Sequence, residues 1–452
     1  MKLLFSLGLL CCLVLLNGCV STTSKSARLE PQEAALVSKV EQYPNDSLAL
    51  RELVEYQLQL FDESPDFELF SRLEKNLLKG LEIAPSERFF AYHYYVINLK
   101  LAFVEGRYEQ KKWQAFYQQH PFLATLDLAP PVYVDYLLKE PTGSEKVAIL
   151  QQSLRTNPFF MNAYLELARH YYTEDKTALA TYLMMAARRH NEESVEVLSD
   201  LVHYRTTQLS EAMCHADIRE SVPAVLEDAR TLTRMVPDEA FFQSQLAEVF
   251  RLNRQYPLAI FAAAKAAELD KSYTDYLLEL YLWDTRLDKV MAFTGDAAQQ
   301  RDVMYVLPKV YASIAALNWQ EAAKQASLYS QLEDAEPYGV LYGAYSYGIM
   351  GNTAEREKLL KLLDSTISMS DWHRNMLAFA RGSIDEAQLM AVADDRCKQS
   401  EALFVAALQH FENHQTEKAN TYWQQIIDLG VMNYFEFGTA RNRVKALKKA
   451  AQ

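Results

Sequence analysis

A pattern of aromatic and small residues recurs along this chain and constrains its fold more than any other feature. In the stretch NPFFMNAYLELARHYYTEDKTALATYLMMAARRH, the leading proline is followed by Tyr164, Leu167, Ala168, Tyr171, Ala180 and Ala187. Apolar residues spaced three and four apart are typical of an amphipathic helix. Two helices approach closely only where small side chains meet. The alanines at 180 and 187 therefore predict a helical hairpin.

The same layout returns with a period of about 34 residues. One copy, VPDEAFFQSQLAEVFRLNRQYPLAIFAAAKAAELD, has its small residues at Ala259 and Ala266. Another, PYGVLYGAYSYGIMGNTAEREKLLKLL, places Gly343-Ala344 before a turn at Gly351, and MYVLPKVYASIAALNWQEAAKQASLYSQL precedes it by one period. Weaker copies have turns at Gly106 and Gly382, or small residues at Ala407 and Ala419. We also expect helix pairs over 32–85, 127–158, 198–237 and 274–300.

These stretches resemble tetratricopeptide repeats over roughly residues 90–430. The resemblance implies an all-α fold, a right-handed superhelical solenoid of helical hairpins with a concave surface. The scarcity of turn-forming residues, with 13 glycines and 14 prolines, also favours helices over strands. The proline-rich stretch LAPPVYVDYLLKEPTGSEK interrupts the register. We therefore predict degenerate repeats over 32–126, followed over 127–452 by a solenoid with a C-terminal capping helix.

The resemblance also places candidate partner-binding residues on the concave surface. In this family, the second, fifth, ninth, twelfth and thirteenth positions of the first helix of each pair face the ligand. In the three clearest copies these positions are Asn162, Leu165, Arg169, Tyr172 and Thr173; Phe241, Ser244, Glu248, Arg251 and Leu252; and Tyr338, Leu341, Tyr345, Gly348 and Ile349. Aromatic and arginine side chains are common anchors of interfaces. The alternative is that some of these residues pack against the neighbouring repeat.

The start of the chain predicts where the protein resides. Lys2 precedes an apolar run over 3–16 that is too short to span a membrane, which is typical of an export signal. Leu16-Asn17-Gly18-Cys19 resembles the bacterial lipobox, which implies that the signal 1–18 is removed and that Cys19 carries acyl chains such as palmitate. Val20 implies delivery to the outer membrane, and 19–31 would be a flexible tether. A plain cleaved signal with a free Cys19 is the alternative.

The end of the chain carries a more particular pattern. After a degenerate repeat, the sequence reads Asn433-Tyr434-Phe435-Glu436 and continues with Ala440, Val444 and Leu447. This ending is similar to that of NlpI-type lipoproteins, which are outer-membrane adaptors that dock a periplasmic protease and murein hydrolases. The resemblance implies a non-enzymatic adaptor that binds periplasmic or outer-membrane proteins in its groove. The first 300 residues show no such similarity, so the partners themselves are not carried over.

The other chemistry-bearing residues predict no cofactor and no metal site. His410 and His414 are four residues apart, but no glutamate directly follows the first histidine as it does in zinc metalloproteases, and the repeat places His414 in a turn. GAYSYG lacks the spacing of a nucleophile elbow. A formal charge of −13 without a basic run argues against binding of nucleic acid.

Cys214 and Cys397 are the two cysteines that follow Cys19 in the chain. They could form one disulfide in an oxidising compartment. Two separate buried thiols are favoured, because the sequence does not show that the two residues are close.

Two functions of other classes stay open besides the adaptor. A helical scaffold could carry an enzyme that modifies murein or polysaccharide, which would require a local cluster of acid, base or metal-binding side chains. The array could also be a structural subunit of a pilus or polysaccharide secretion complex, which would form a ring with its partners. The adaptor is preferred because the sequence shows no catalytic cluster.

Overall fold

The computed structural model of this chain describes residues 30–450, apart from 65, 106–107, 297–298, 366 and 433. In this part, the secondary structure consists of α-helices and three short 3₁₀-helices, with no β-strand. The all-α prediction is therefore confirmed. The signal, Cys19, the tether up to residue 29, the turn at Gly106 and Asn433 lie outside the described residues. None of the described helices is both long and apolar enough to cross a membrane.

The chain divides into two compact units, Met1–Phe160 and Met161–Gln452. The helices of the first unit are α1 (Pro31–Gln42), α2 (Ser47–Glu63), α3 (Phe67–Ile83), α4 (Arg88–Glu105), α5 (Gln110–Gln119), α6 (Pro131–Lys139) and α7 (Gly143–Thr156). Leu50, Leu73, Phe90 and Tyr95 lie at the centre of their apolar core, and each is fully buried. The helix pairs expected over 32–85 and 127–158 are thus present.

The second unit begins with eight helices, four of which belong to the predicted repeats. These are α8 (Met161–Thr173), α9 (Thr177–Arg188), α10 (Val195–Ala212), α11 (Val222–Met235), α12 (Ala240–Leu252), α13 (Tyr256–Leu269), α14 (Thr274–Trp283) and α15 (Leu287–Ala292). The remaining helices are α16 (Val303–Ala315), α17 (Trp319–Tyr329), α18 (Pro337–Ile349), α19 (Thr353–Ser365), α20 (Asp371–Ala380), α21 (Glu386–Val392), α22 (Arg396–Glu412), α23 (Thr416–Leu429) and α24 (Phe435–Ala450). Each helix from α8 to α18 packs against the next one along the chain.

Seven of the turns between described helices share one backbone geometry. A residue of positive φ lies in the turn at Asp175, Arg254, Thr285, Leu317, Gly351, Gly382 and His414. In each of these turns an N–H donates to the carbonyl five residues earlier, for example from Lys176 to Tyr171 and from Gln415 to His410. This is the hydrogen bond of a Schellman helix end. From Arg254 onward the turn residues recur every 31 to 34 residues, which confirms the predicted repeat and the turns at Gly351 and Gly382.

Small residues lie where the sequence predicted close helix contacts. Ala180, Ala187, Ala259 and Ala266 are all fully buried. At Gly343 on α18, an added Cβ atom would lie 2.3 Å from the Cβ of Ala326 on α17. Two non-bonded carbon atoms cannot lie so close together, so a side chain at this position would push the two helices apart. The interpretation of YGVLYGAYSYG as a packing segment is therefore confirmed.

The boundary between the compact units differs from the predicted boundary at residue 126. The proline-rich connection that precedes α6 stays with the first unit, because Tyr95 donates its hydroxyl hydrogen to the carbonyl of Ala129 over 2.7 Å. The side-chain amide nitrogen of Asn157 donates to the backbone carbonyls of Leu126 and Leu128, each over 2.9 Å. These bonds hold α6 and α7 to the N-terminal helices. The division therefore falls between Phe160 and Met161.

Cys214 and Cys397 form a disulfide with a Cα–Cα distance of 4.9 Å. Cys214 follows α10 in a connection without the repeated turn, whereas Cys397 is in the first turn of α22. The favoured alternative of two separate thiols was wrong. The reason is that the stack of hairpins in the second unit closes on itself, so that α22 returns to the end of α10. The backbone N–H of Arg396 donates to the carbonyl of Cys214 over 3.0 Å at this closure.

Candidate functional site

The first helices of the hairpins were predicted to present a concave binding surface, and the end of the chain occupies part of that surface. Helix α24 packs against α14, α16, α22 and α23. At its start, the ring of Phe435 lies 5.2 Å from Trp283 and 4.7 Å from Tyr311, measured between ring centroids. Ala440 is fully buried along the helix. Helix α24 therefore lies where a ligand of these first helices would bind.

Glu436 attaches α24 to two first helices. Its Oε1 atom accepts hydrogen bonds from the hydroxyl of Tyr311 on α16 over 2.9 Å and from that of Tyr342 on α18 over 2.8 Å. The carboxyl group is 3 % exposed, and burial raises its pKa above the usual range. Burial and the neighbouring carboxyl raise the pKa of both tyrosines far above 10. Glu436 is thus a docking residue within the chain.

The predicted ligand-facing residues of the third copy lie mostly in the core. Leu341 and Tyr345 are 2 % and 1 % exposed, because α22 packs over α18. Tyr338 is half-buried, and its hydroxyl donates to Oε2 of Glu401 over 2.9 Å. Gly348 and Ile349 are half-buried at the end of α18. The assignment of ligand-facing positions assumes that the concave surface is open to solvent. In the third copy, the chain's own C-terminal helices cover that surface.

In the second copy, the first helix has an accessible start and carries a buried ion pair near its end. Arg251 donates to the carboxylate of Glu248 and to the carbonyl of Met432, while Tyr276 donates to Glu248 over 2.5 Å. Arg251 is 5 % exposed and Leu252 is 1 % exposed, so neither faces solvent. Phe241 and Ser244, at the start of the same helix, are half-buried.

The first copy keeps most of its predicted residues accessible. Asn162 and Thr173 are exposed, Arg169 and Tyr172 are half-buried, and only Leu165 is buried at 2 % exposure. The guanidinium of Arg169 donates to Oε1 of Glu196 over 3.2 Å and to Oδ2 of Asp200 over 3.0 Å.

Helix α10 contributes residues that the sequence did not select. His203 places its ring 5.2 Å from that of Tyr172 and 6.0 Å from that of Phe241, so aromatic rings continue from α8 across α10 to α12. We call Arg169, Tyr172, Asp200, His203 and Phe241 the open surface. A helix pair was expected over 198–237, but the surface residues of α10 were not selected because its hairpin lacks the repeated turn. A step of 34 residues from Arg169, which ends at His203, would have found it.

The charges of the open surface are arranged around Arg169. Burial raises the pKa of Asp200, and the charge of Arg169 opposes this rise. Burial lowers the pKa of His203, so that its ring is neutral near pH 7. The open surface therefore combines one arginine fixed between carboxylates with neutral aromatic rings, which suits stacking and hydrogen bonding.

The residues considered for catalysis have other contacts. His410 lies between Glu386 and Gln415, at 2.9 and 2.8 Å from their side-chain oxygens, and His414 is the turn residue with φ of 60°. The hydroxyl of Ser346 donates to the carbonyl of Tyr342 within α18. Over the described parts of the chain, no group of three or more histidine, cysteine, aspartate or glutamate side chains could hold a metal ion.

Comparison with known proteins adds little to these observations. No protein-family model matches the chain, and no curated protein matches it. Among solved structures, a tetratricopeptide repeat protein from Parabacteroides merdae is 12 % identical, with a TM-score of 0.33 over 68 % of this chain and 95 % of the other.

Two further structures show the same low level of likeness. A tetratricopeptide repeat protein from Thermus thermophilus is 16 % identical, with a TM-score of 0.28 over 49 % of this chain and 98 % of the other. The human IFIT1 dimer with m7Gppp-AAAA is 12 % identical, with a TM-score of 0.30 over 88 % of this chain and 76 % of the other. The stack of helical hairpins is therefore established by this chain's own helices and contacts.

Proposed function

We propose that this chain is a non-enzymatic adaptor that binds a peptide segment of another envelope protein on its open surface. The observation that supports the proposal is the row of half-buried rings of Tyr172, His203 and Phe241 on three consecutive first helices. Half-exposed aromatic side chains beside an arginine are typical anchors of protein interfaces. An extended or helical peptide lying across these helices would contact each ring in turn.

The buried position of α24 restricts this proposal to the beginning of the second unit. Tyr345, Leu341 and Arg251 are occupied by contacts within the chain. The adaptor surface therefore depends on α8, α10 and α12, and not on the whole length of the predicted groove.

The sequence supports a location at the outer membrane, facing the periplasm. The short apolar run before Cys19 and the lipobox-like Leu16-Asn17-Gly18-Cys19 are the features that favour lipid attachment. Several acyl chains anchor a protein stably where one chain does not. A partner would then be an envelope protein active in assembly, export or peptidoglycan processing.

We expect the double substitution Arg169→Ala with Tyr172→Ala to weaken binding of an envelope partner. The full-length protein, immobilised in mild detergent, is incubated with envelope extract, and the captured protein is identified by mass spectrometry and purified. Its affinity should then fall by at least about tenfold in the double variant, because truncation of an interface anchor costs about 2 kcal/mol.

The matched control is Arg374→Ala with Tyr182→Ala, which removes the same residue types from exposed positions. The Arg374 side chain is 59 % exposed and Tyr182 is 68 % exposed. The control should bind as the wild-type protein does. Equal loss in both double variants, or capture of no envelope protein, would contradict the proposal.

For the anchor, we expect Cys19→Ser to release the protein from the membrane fraction. The wild-type chain should incorporate labelled palmitate and sediment with outer membranes in a density gradient. The variant should incorporate none, because serine has no thiol to receive the diacylglycerol group. Membrane association and palmitate labelling that persist in Cys19→Ser would rule out this anchor.

A further inference from the structure

A cavity of about 270 Å³ lies where the second unit closes on itself. It is bordered by the connection after α10, by the turn between α12 and α13, and by the connection between α23 and α24. The Cys214–Cys397 disulfide is next to it, since Met213 and Arg396 both line the cavity. We call this space the arginine cavity, after Arg219, Arg254 and Arg396 in its wall.

The three arginines of the arginine cavity differ in their partners. Arg219 is committed to Asp217, because its Nε atom lies 3.0 and 2.7 Å from the two carboxylate oxygens. Arg396 donates to the carbonyl of Leu429 at the end of α23, and Nε of Arg254 lies 3.2 Å from the sulfur of Met432. Among the ion pairs of the described residues, none within 4.0 Å involves Arg254 or Arg396.

The guanidinium groups of Arg254 and Arg396 both lie beside Gly430. A Cβ atom at Gly430 would lie 3.3 Å from Nη2 of Arg254 and 3.8 Å from Nη2 of Arg396. The two nitrogens are therefore at most about 7 Å apart, a distance at which two positive charges repel each other. Gly430 has φ of 70° and no side chain, which leaves the space between the two groups open.

Each of the two carboxylates of the cavity wall has a hydrogen-bond partner other than Arg254 and Arg396. Asp217 binds Arg219, and Oδ1 of Asp428 accepts a hydrogen bond from Gln424 over 2.9 Å. With three arginines and two aspartates, the cavity carries a net positive charge, although the whole chain has a formal charge of −13. This local reversal of sign favours an anion.

The rest of the wall is apolar. Met213, Ile218, Ile427 and Met432 line the same cavity as the arginines. Met213 and Met432 are buried, whereas Ile427 and Leu429 are half-buried and keep part of their apolar surface accessible. The space also exceeds what one small inorganic anion would fill.

We propose that the arginine cavity binds an organic carboxylate, with its carboxylate between Arg254 and Arg396 and its apolar part against Ile427 and Leu429. Arginine binds carboxylates through parallel charge-assisted hydrogen bonds, which explains a converging pair of guanidinium groups. The carboxylate comes either from the C-terminus of a peptide with an apolar last residue or from a free acid. This site is separate from the open surface, and it does not depend on the adaptor proposal.

Calorimetric titration of the full-length protein with N-acetyl-leucine tests this site without any substitution. The matched ligand N-acetyl-leucinamide has the same apolar part and no charge. We expect the acid to bind at least about tenfold more tightly than the amide. An amide that binds as well as the acid, or an acid that does not bind at millimolar concentration, overturns the proposal. Inorganic phosphate that binds as tightly as the acid overturns the role of the apolar part of the wall.

Substitutions of single arginines then test which of them bind the carboxylate of the ligand. Arg254→Gln and Arg396→Gln should each weaken binding of N-acetyl-leucine by at least about tenfold, because each removes one charged donor. Arg374→Gln is the matched control, since this exposed arginine is also paired with an aspartate, Asp371, and lies outside the cavity wall, and it should leave the affinity within about twofold. An equal effect of all three variants overturns the proposal. Thermal unfolding of each variant shows that it is folded.

An acetylated tetrapeptide ending in leucine distinguishes the two sources of the carboxylate. Tighter binding of this peptide than of N-acetyl-leucine supports a peptide C-terminus as the ligand, because the additional residues then make contacts outside the cavity. Weaker binding supports a free acid. Binding of the same peptide with an amidated C-terminus as tightly as the free form would contradict both.

Discussion

Loss of the Cys214–Cys397 disulfide should lower the free energy of unfolding of the second unit by about 5 kcal/mol, because the bond closes a loop of 183 residues. In the chain-entropy model, the stabilisation grows with the logarithm of the loop length, and few disulfides close a loop so long. The expected fall in melting temperature is roughly 10 °C. It is measured by calorimetry on the full chain with and without reductant.

Cysteine-to-alanine variants separate loop closure from other effects of reduction. Cys214→Ala, Cys397→Ala and the double variant should be destabilised by similar amounts, since each removes the same bond. Reductant should lower the melting temperature of the wild-type protein to that of the double variant and should leave the variants unchanged. Additive losses in the single variants would show that the cysteines act separately.

The second large effect concerns Glu401, and we expect the protein to lose stability as the pH rises from about 4.5 to about 8. Glu401 is 4 % exposed, and its Oε2 atom accepts hydrogen bonds from Tyr338 over 2.9 Å and from the indole of Trp372. Burial, and then the charge of Glu436, raise the pKa of its carboxyl group to about 8. No arginine or lysine in the described residues forms an ion pair with it.

The sign of this dependence follows from the raised pKa. The folded state holds the proton more tightly than the unfolded state, so the stabilisation is complete below the unfolded pKa near 4.5 and is lost as the pH rises through the folded pKa near 8. Between these values, the free energy of unfolding falls by roughly 1.4 kcal/mol for each pH unit per carboxyl group. Glu436, whose pKa burial also raises, contributes in the same direction.

Chemical denaturation across this pH range measures the slope, and Glu401→Gln tests its origin. Glutamine retains an oxygen that accepts hydrogen bonds and does not ionise, so this variant should show a shallower fall in stability with pH. The control Glu357→Gln, at a side chain that is 53 % exposed, should keep the wild-type slope. An unchanged slope in Glu401→Gln would exclude this carboxyl group as the cause.

The local part of the fold could be predicted from the sequence, because the determinants of a helical hairpin lie within one repeat. Ala180 and Ala187 mark a helix contact, and Gly351 and Gly382 mark turns, each within about 34 residues of the next repeat. The accessibility of Arg169 and Tyr172 also follows from their positions on a first helix.

The contacts that close the second unit could not be predicted in the same way. Whether Tyr345 faces solvent depends on α22, and whether the surface of α16 is free depends on Glu436, which is 125 residues away from Tyr311 in sequence. Nothing in one repeat indicates that a later helix returns to cover it. The same limit applies to Cys214 and Cys397, whose separation left their pairing open.

The return of α24 into the second unit changes how that unit can fold. In an open repeat array, each repeat contacts only its neighbours, and the stabilities of the repeats and their interfaces nearly add. Here the carbonyl of Met432 accepts hydrogen bonds from Arg251 and Trp283, so helices in the middle of the unit are complete only after the last residues of the chain are present. A polypeptide that is still being synthesised would lack them. The second unit therefore has the long-range contacts of a globular domain, and it cannot be shortened one repeat at a time from its carboxyl end.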